Sequence, residues 1–216
     1  MKLSDRLLTV ASLLKEGMHV ADVGADHGLI EKYLLDNDLV ASIMAIENKN
    51  GPFNILQNNL KGYNVKLSLS DGIDEIDESV NALIIAGMGG NLIVDILKKH
   101  PDKLKNVEQI VVDAHRDIEY VRRQITELGY YIEKEKIVLE NNIYYFVISF
   151  LKGQRHYSDI EYEYGYQIKD DELFDKYREN ELDRMTLNLI HYKSSEKATE
   201  DGIKNREQKI RRLESL

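Results

Sequence analysis

The feature that most restricts this chain is Ala82-Leu83-Ile84-Ile85-Ala86, an unbroken apolar run with no polar alternation. A run this short reads as a strand, and a strand apolar on both faces must be covered on both, as in a parallel sheet between two helix layers. The flanking sequence repeats the theme. Met18–Val23, Ala41–Glu47, Val65–Leu69 and Ile110–Val112 read as further strands. Helical spacing occupies Leu29–Leu35, the stretch after Gly51-Pro52, the stretch from Gly89-Gly90 through Lys99, and Ile118–Leu128. A leading amphipathic helix over 3–15 puts Leu3, Leu7, Val10, Ala11 and Leu14 on one face and stops at Gly17. Tyr131–Val138 and Ile143–Phe150, joined by Glu140-Asn141-Asn142, form a hairpin. The order β-α-β-α-β-β-α-β-α-β-β after the leading helix predicts a doubly wound α/β sheet with one antiparallel strand.

A chain of 216 residues suits one domain with an appendage. Lys152-Gly153-Gln154 marks the boundary, dividing an α/β domain over 1–151 from a tail over 152–216. In the tail Leu182, Met185, Leu189 and Tyr192, then Ile203, Ile210 and Leu213, recur at helical spacing. That pattern predicts two long helices packed as a coiled-coil-like hairpin. With no cysteine, disulfides, thiolate metal sites and cysteine nucleophiles are excluded. His27 has no suitably spaced second ligand, so no metal is expected. The start, Met1 to Arg6, lacks the apolar stretch of a secretory signal, and no run of ~18 apolar residues occurs. A cytoplasmic monomer without a membrane partner is expected.

The net charge of −9 argues against a non-specific nucleic-acid binder, which needs excess Lys and Arg. The charge is uneven. From Lys176 onward bases outnumber acids, and Lys204-Asn205-Arg206 through Arg211-Arg212 is the most basic part.

In doubly wound sheets, ligands bind beyond the carboxyl ends of the strands, where strand order reverses. The ends here read Asp22-Val23-Gly24-Ala25-Asp26-His27-Gly28, Ala45-Ile46-Glu47, Ser70-Asp71-Gly72 and Gly87-Met88-Gly89-Gly90. Gly24 lets the backbone come close to a ligand, and Glu47 lies near the ~20-residue offset at which an acid accepts from ribose hydroxyls. The G-x-G-x-x-G fingerprint is absent, however, and Asp22 and Asp26 flank the place where a pyrophosphate would lie. Carboxylates repel phosphate, whose sites use bare amides and helix N-termini. A nucleoside cofactor carrying an amine and a sulfonium fits instead, which describes S-adenosylmethionine. Asp71 would accept from the adenine amine, with Gly72 leaving room for the ring. A nicotinamide dehydrogenase fits least. On residues alone, a methyltransferase acting on protein or a small metabolite and a non-catalytic nucleoside-binding module stay open.

Leu3-Ser4-Asp5-Arg6-Leu7, Ala21-Asp22-Val23-Gly24-Ala25-Asp26-His27 and Ile85-Ala86-Gly87-Met88-Gly89-Gly90 also resemble the bacterial tRNA (adenine(22)-N(1))-methyltransferases. Glu47, Gly51-Pro52, Asp71-Gly72 and the C-terminal helices match too. The resemblance implies a Rossmann-like class I methyltransferase fold, S-adenosylmethionine as donor, and N1 of a D-arm adenine in tRNA as acceptor. It implies cofactor or target-base contacts at Asp22, Gly24, Asp26, His27, Glu47, Asp71, Gly72, Gly87 and Met88, with Gly89 and Gly90 on the RNA side. Two positions depart from it: Ala25 stands where a serine is usual, and Asp113-Ala114-His115 where relatives resemble Gln-Pro-Asn.

Adenine N1 already has a lone pair, so rate would come from placement, and Asp26 or Asp113 would stabilise the cationic product. Arg6, His115, Arg116 and Arg155, with Arg122 and Arg123, are the expected RNA contacts beside the basic tail.

Overall fold

The computed structural model describes residues 3–216, so the first two residues of the expected 1–151 unit lie outside the described residues. Seven strands form one sheet in the order β3-β2-β1-β4-β5-β7-β6. They are β1 (Met18–Val23), β2 (Val40–Glu47), β3 (Lys66–Leu69), β4 (Ala82–Met88), β5 (Gln109–Ala114), β6 (Tyr130–Glu140) and β7 (Ile143–Lys152). The first five pair in parallel, and β7 runs antiparallel between β5 and β6. This is the single reversed strand expected from the sequence. The β6–β7 turn places Asn141 and Asn142 at φ 52 and 61, the left-handed pair that a two-residue hairpin turn requires.

Helices α1 (Asp5–Leu13), α2 (Leu29–Asp36) and α3 (Asn50–Asn59) cover one face, and α4 (Gly90–Lys99) and α5 (Ile118–Glu127) the other. Strand parity assigns the partners. Val20, Ile43, Ile84 and Val111 point towards α1 and α2, while Ala21, Val23, Leu83 and Ile85 meet Ile93, Val94 and Leu97 of α4. Ala82 through Ile85 have no exposed surface, as the uninterrupted apolar run predicts. The same parity carries forward to the strand ends: Asp22, Glu47 and Asp113 share the face of α1, α2 and α3.

The chain does not leave the body at Lys152. Gly153 donates its N–H to the Gly129 carbonyl, and the Tyr157 hydroxyl lies 2.8 Å from the Ile132 nitrogen. α6 (Asp159–Tyr164) starts with a capping box between Ser158 and Glu161. Tyr164, Ile168 and Phe174 are buried against the β6–β7 edge and α5. Arg122 of α5, 1% exposed, is held bidentately by Glu135 of β6 at 2.9–3.1 Å and donates to the carbonyls of Tyr162 and Glu163. Residues 157–174 thus complete the α/β layer. What projects is the pair α7 (Phe174–Lys193) and α8 (Glu200–Glu214), which returns to its root through Leu213, buried, and a Tyr164 hydroxyl bond to the Lys209 carbonyl. Leu182, Met185, Leu189, Tyr192, Ile203 and Ile210 are half-buried along the seam, as their spacing predicts.

Candidate active site

β1 and β4 are neighbours whose connections lead to opposite edges of the sheet, so a crevice opens beyond their carboxyl ends. It holds a cavity of about 490 Å³ lined by residues 22–27 after β1, Glu47–Lys49 after β2, Ser70–Gly72, Ala86–Met88 at the end of β4, and Arg6 and Leu7 of α1. Ten of the expected site residues therefore converge: Arg6, Asp22, Gly24, Asp26, His27, Glu47, Asp71, Gly72, Gly87 and Met88.

Gly24 has φ +80, and a Cβ there would stand 2.3 Å from Met88 Cε, so a side chain would displace the methionine that walls the crevice. Glu47 is 8% exposed; its Oε1 accepts from the N–H groups of Asn48 and Lys49 at 3.0 and 3.1 Å, which aims the carboxylate. Asp71 accepts from Lys99 Nζ at 3.2 Å and Asn48 Nδ2 at 3.5 Å, and these bonds hold its carboxyl below the usual range. Asp26, at φ 50, and His27 stand exposed 3.6 Å apart on the cavity wall. Asp22 is 3% exposed; burial pushes its carboxyl up to about 7, partly offset by a hydrogen bond with Glu31. Glu31 is fully buried on the inner face of α2 and is also raised by burial.

This donor set suits a cationic nucleoside. Four carboxylates (Asp22, Asp26, Glu47 and Asp71) offer acceptors for hydroxyls, an amine and a positive centre, and a glycine cradle with the apolar walls of Leu92, Pro52 and Ile96 leaves room for a ring.

Comparison with known proteins agrees with that chemistry. A methyltransferase-domain family matches residues 3–148. The tRNA (adenine(22)-N(1))-methyltransferase of Bacillus subtilis (strain 168) is 32% identical over 160 residues, 72% of this chain and 67% of that protein. The chain belongs to this methyltransferase family. Solved structures extend the likeness across the C-terminal helices. One is a putative tRNA (m1A22) methyltransferase of Streptococcus pneumoniae, with 24% identity, TM-score 0.92 and 99% of each chain covered. Another is M. capricolum TrmK in complex with S-adenosyl-homocysteine, with 24% identity, TM-score 0.85, and 100% and 97% coverage. At those identities they show the shared fold.

Within the methyltransferase, eight expected contacts lie outside the cavity lining. Asp113 is fully buried at the end of β5 and ion-paired with Arg6, whose guanidinium also lies 3.6 Å from Glu140 and over the Tyr145 ring. Burial raises the Asp113 carboxyl against the pull of Arg6. Asp113 is absent from the cavity lining and bears on the site through Arg6. His115, exposed just past β5, meets Tyr145 edge-on with ring centroids 5.4 Å apart. Arg116 is 78% exposed, and its guanidinium covers Gly89. Gly90 is buried at the start of α4 and donates its N–H to the Arg116 carbonyl. Arg155 lies at the opposite end of the sheet, between the Tyr131 and Tyr166 rings and donating to Ile132. Arg122 is consumed by Glu135, and Arg123 by Glu119 and Asp159. Arg155 lies away from the cavity because β7 runs antiparallel to β5 and ends at the edge of the sheet where the tail joins, while Arg122 and Arg123 are held by their acids.

Glu31, Lys99, Glu140 and Tyr145 are neighbours of the site that the sequence reading missed. Glu31 was legible in part, since it falls one position from Ile30 and three from Leu34 on the buried face of α2.

Proposed function

We propose that the protein transfers a methyl group from S-adenosylmethionine to N1 of adenine 22 in the D-arm of tRNA. The observation that carries this reading is the acid-lined crevice at the β1–β4 switch point in a chain of this family. S-adenosylmethionine would supply an activated methyl on a sulfonium, held by Asp22, Glu47, Asp71 and Gly24. Glu47 would accept from the ribose hydroxyls, Asp71 from the adenine amine, and Asp22 would face the amino-acid end. Gly87, Met88 and His27 would bound the reacting end.

No base need act before attack, because N1 of neutral adenine carries a free lone pair. The protein's task is to hold that nitrogen in line at ~3–3.5 Å, after extracting a base that stacks within the tRNA fold. Asp26, exposed on the cavity wall, offsets the positive charge that develops on the methylated base. Arg6, fixed by Asp113 and Glu140, presents a rigid guanidinium at the acceptor side, with His115 and Arg116 beyond it.

The projecting helices supply a second contact for the tRNA backbone. Arg184, Arg206 and Lys209 gather with Asn188 and Asn205 around a groove between α7 and α8. The body is acidic, so this concentration of positive charge suits phosphate. Nothing in the described residues groups three metal-ligating side chains, and no helix among them is long and apolar enough to cross a membrane.

The deciding experiment incubates the purified protein with S-adenosylmethionine and unmodified tRNA and maps the product nucleoside by mass spectrometry. 1-Methyladenosine at position 22 is expected. Methylation of protein or small molecules, or cofactor binding without turnover, would replace this reading with one of its rivals.

A further inference from the structure

Glu31 is the one fully buried carboxyl among the described residues that has no role in the reading above. It is 0% exposed, and neither of its oxygens has a hydrogen-bond donor from another residue. The group within hydrogen-bonding reach is a second buried carboxyl, Asp22, which reaches it because β1 parity turns Asp22 towards α2. Two carboxylates in contact without a cation cannot both be ionised in a water-poor site, so they hold at least one proton between them, and two while Asp22 is also neutral. One of the two, Asp22, also lines the cavity.

We propose that Glu31 is a positioning residue for the cofactor: as a neutral acid it donates to Asp22, and capture of the cationic cofactor is linked to release of one proton from the pair. This rests on the reading of the cavity as the S-adenosylmethionine site. Without ligand, burial favours the neutral form of Asp22 up to about pH 7. A positive ligand group favours ionised Asp22, so binding expels a proton, and affinity rises with pH until the free pair has lost that proton by itself. The other titratable and charged groups facing the cavity are Arg6, Asp26, His27, Glu47, Lys49 and Asp71. His27, on the same cavity wall, is replaced in a control.

The test is calorimetry of S-adenosylmethionine binding to the full-length protein between pH 5.5 and 8.5, in buffers of different ionisation enthalpy. Wild type and His27→Gln should both tighten with pH, by up to about tenfold per unit below the midpoint, and release about one proton per ligand. Asp22→Asn should bind weakly with a flat profile. Glu31→Gln keeps a donor and should retain the wild-type midpoint. Glu31→Leu removes the donor while filling the space, and should move the midpoint up by about one unit. A flat wild-type profile, a profile lost in His27→Gln, or an Asp22→Asn protein that retains it would overturn the proposal. So would a Glu31→Leu midpoint equal to that of wild type. No binding at any pH would instead defeat the functional reading itself.

Discussion

In the α/β body, Ala82, Leu83, Ile84 and Ile85 follow one another with no exposed surface, whereas α7 buries a single side chain, Phe174, along its 20 residues. α8 likewise buries Leu213 alone, and Leu187 and Ile190 of α7 are each 57% exposed. Charge is handled differently as well. The body's inner charges are consumed in pairs, Arg122 with Glu135 and Arg6 with Asp113. The projecting helices pair theirs at the surface, Arg184 with Glu181 and Lys209 with Glu163, so that Arg184 stays 67% exposed and Lys209 49%. The body holds geometry through dense packing; the helix pair needs little more than a half-covered seam, because its proposed work is to present charge. Stability and cofactor chemistry should therefore fail together in the body, and tRNA affinity should fail separately in the helices.

That division can be broken by substitution. The largest effect is expected for Arg122→Ala, which strands the Glu135 charge in the interior and releases the carbonyls of 162–163. Urea unfolding should show a loss of about 3–5 kcal/mol, while the double replacement Arg122→Met with Glu135→Leu recovers most of it. Next is Asp26→Ala, where turnover on unmodified tRNA should fall roughly 10²-fold and S-adenosylmethionine affinity far less. Equal losses in both would make Asp26 a binding group and nothing more. Joint replacement of Arg184, Arg206 and Lys209 by alanine should lower the slope of log affinity for tRNA against log salt by about 2 to 3, with cofactor affinity unchanged. An unaltered slope would take the helices out of RNA binding. The smallest effect is expected for Leu187→Ser, which should change unfolding free energy by less than about 0.5 kcal/mol. A larger loss would show that α7 is more deeply packed than its exposure implies.

The pH dependence of stability sharpens the same contrast. Asp22 and Glu31 hold protons in the native state that the unfolded chain gives up in the ordinary carboxylate range. The contribution of each is greatest below that range and falls as pH rises, for Asp22 up to about 7, because the native state binds more protons throughout the interval. Glu31→Gln should flatten that part of the profile in thermal unfolding, whereas substitutions in α7 should leave it unchanged.

Much of this was legible in the sequence for identifiable reasons. The succession of strands and helices along the chain followed from runs too short and too apolar to be helices, and the cavity followed from acids and glycines recurring at strand ends. Nine of the ten site residues converge there because β1 to β4 deliver their C-terminal residues to one edge, and Arg6 joins them from α1. The distal contacts were harder. Arg155 lies two residues beyond Gly153 and looked close to the site along the chain, yet β7 is reversed and carries it to the far end. Asp113 was recognisable as a strand-end acid, but its cation comes from Arg6, far away in sequence.

Local pattern alone determined the layers, the reversed strand, the seam of the helical pair and the acid-lined edge, since periodicities of 2 and 3.6 are properties of neighbouring residues. Tertiary packing decided which charges meet: Asp22 with Glu31, Asp113 with Arg6, Glu135 with Arg122. Periodicity states which face a side chain takes; its partner depends on how each helix rotates and slides over the sheet, and that is set by close packing of the whole interior.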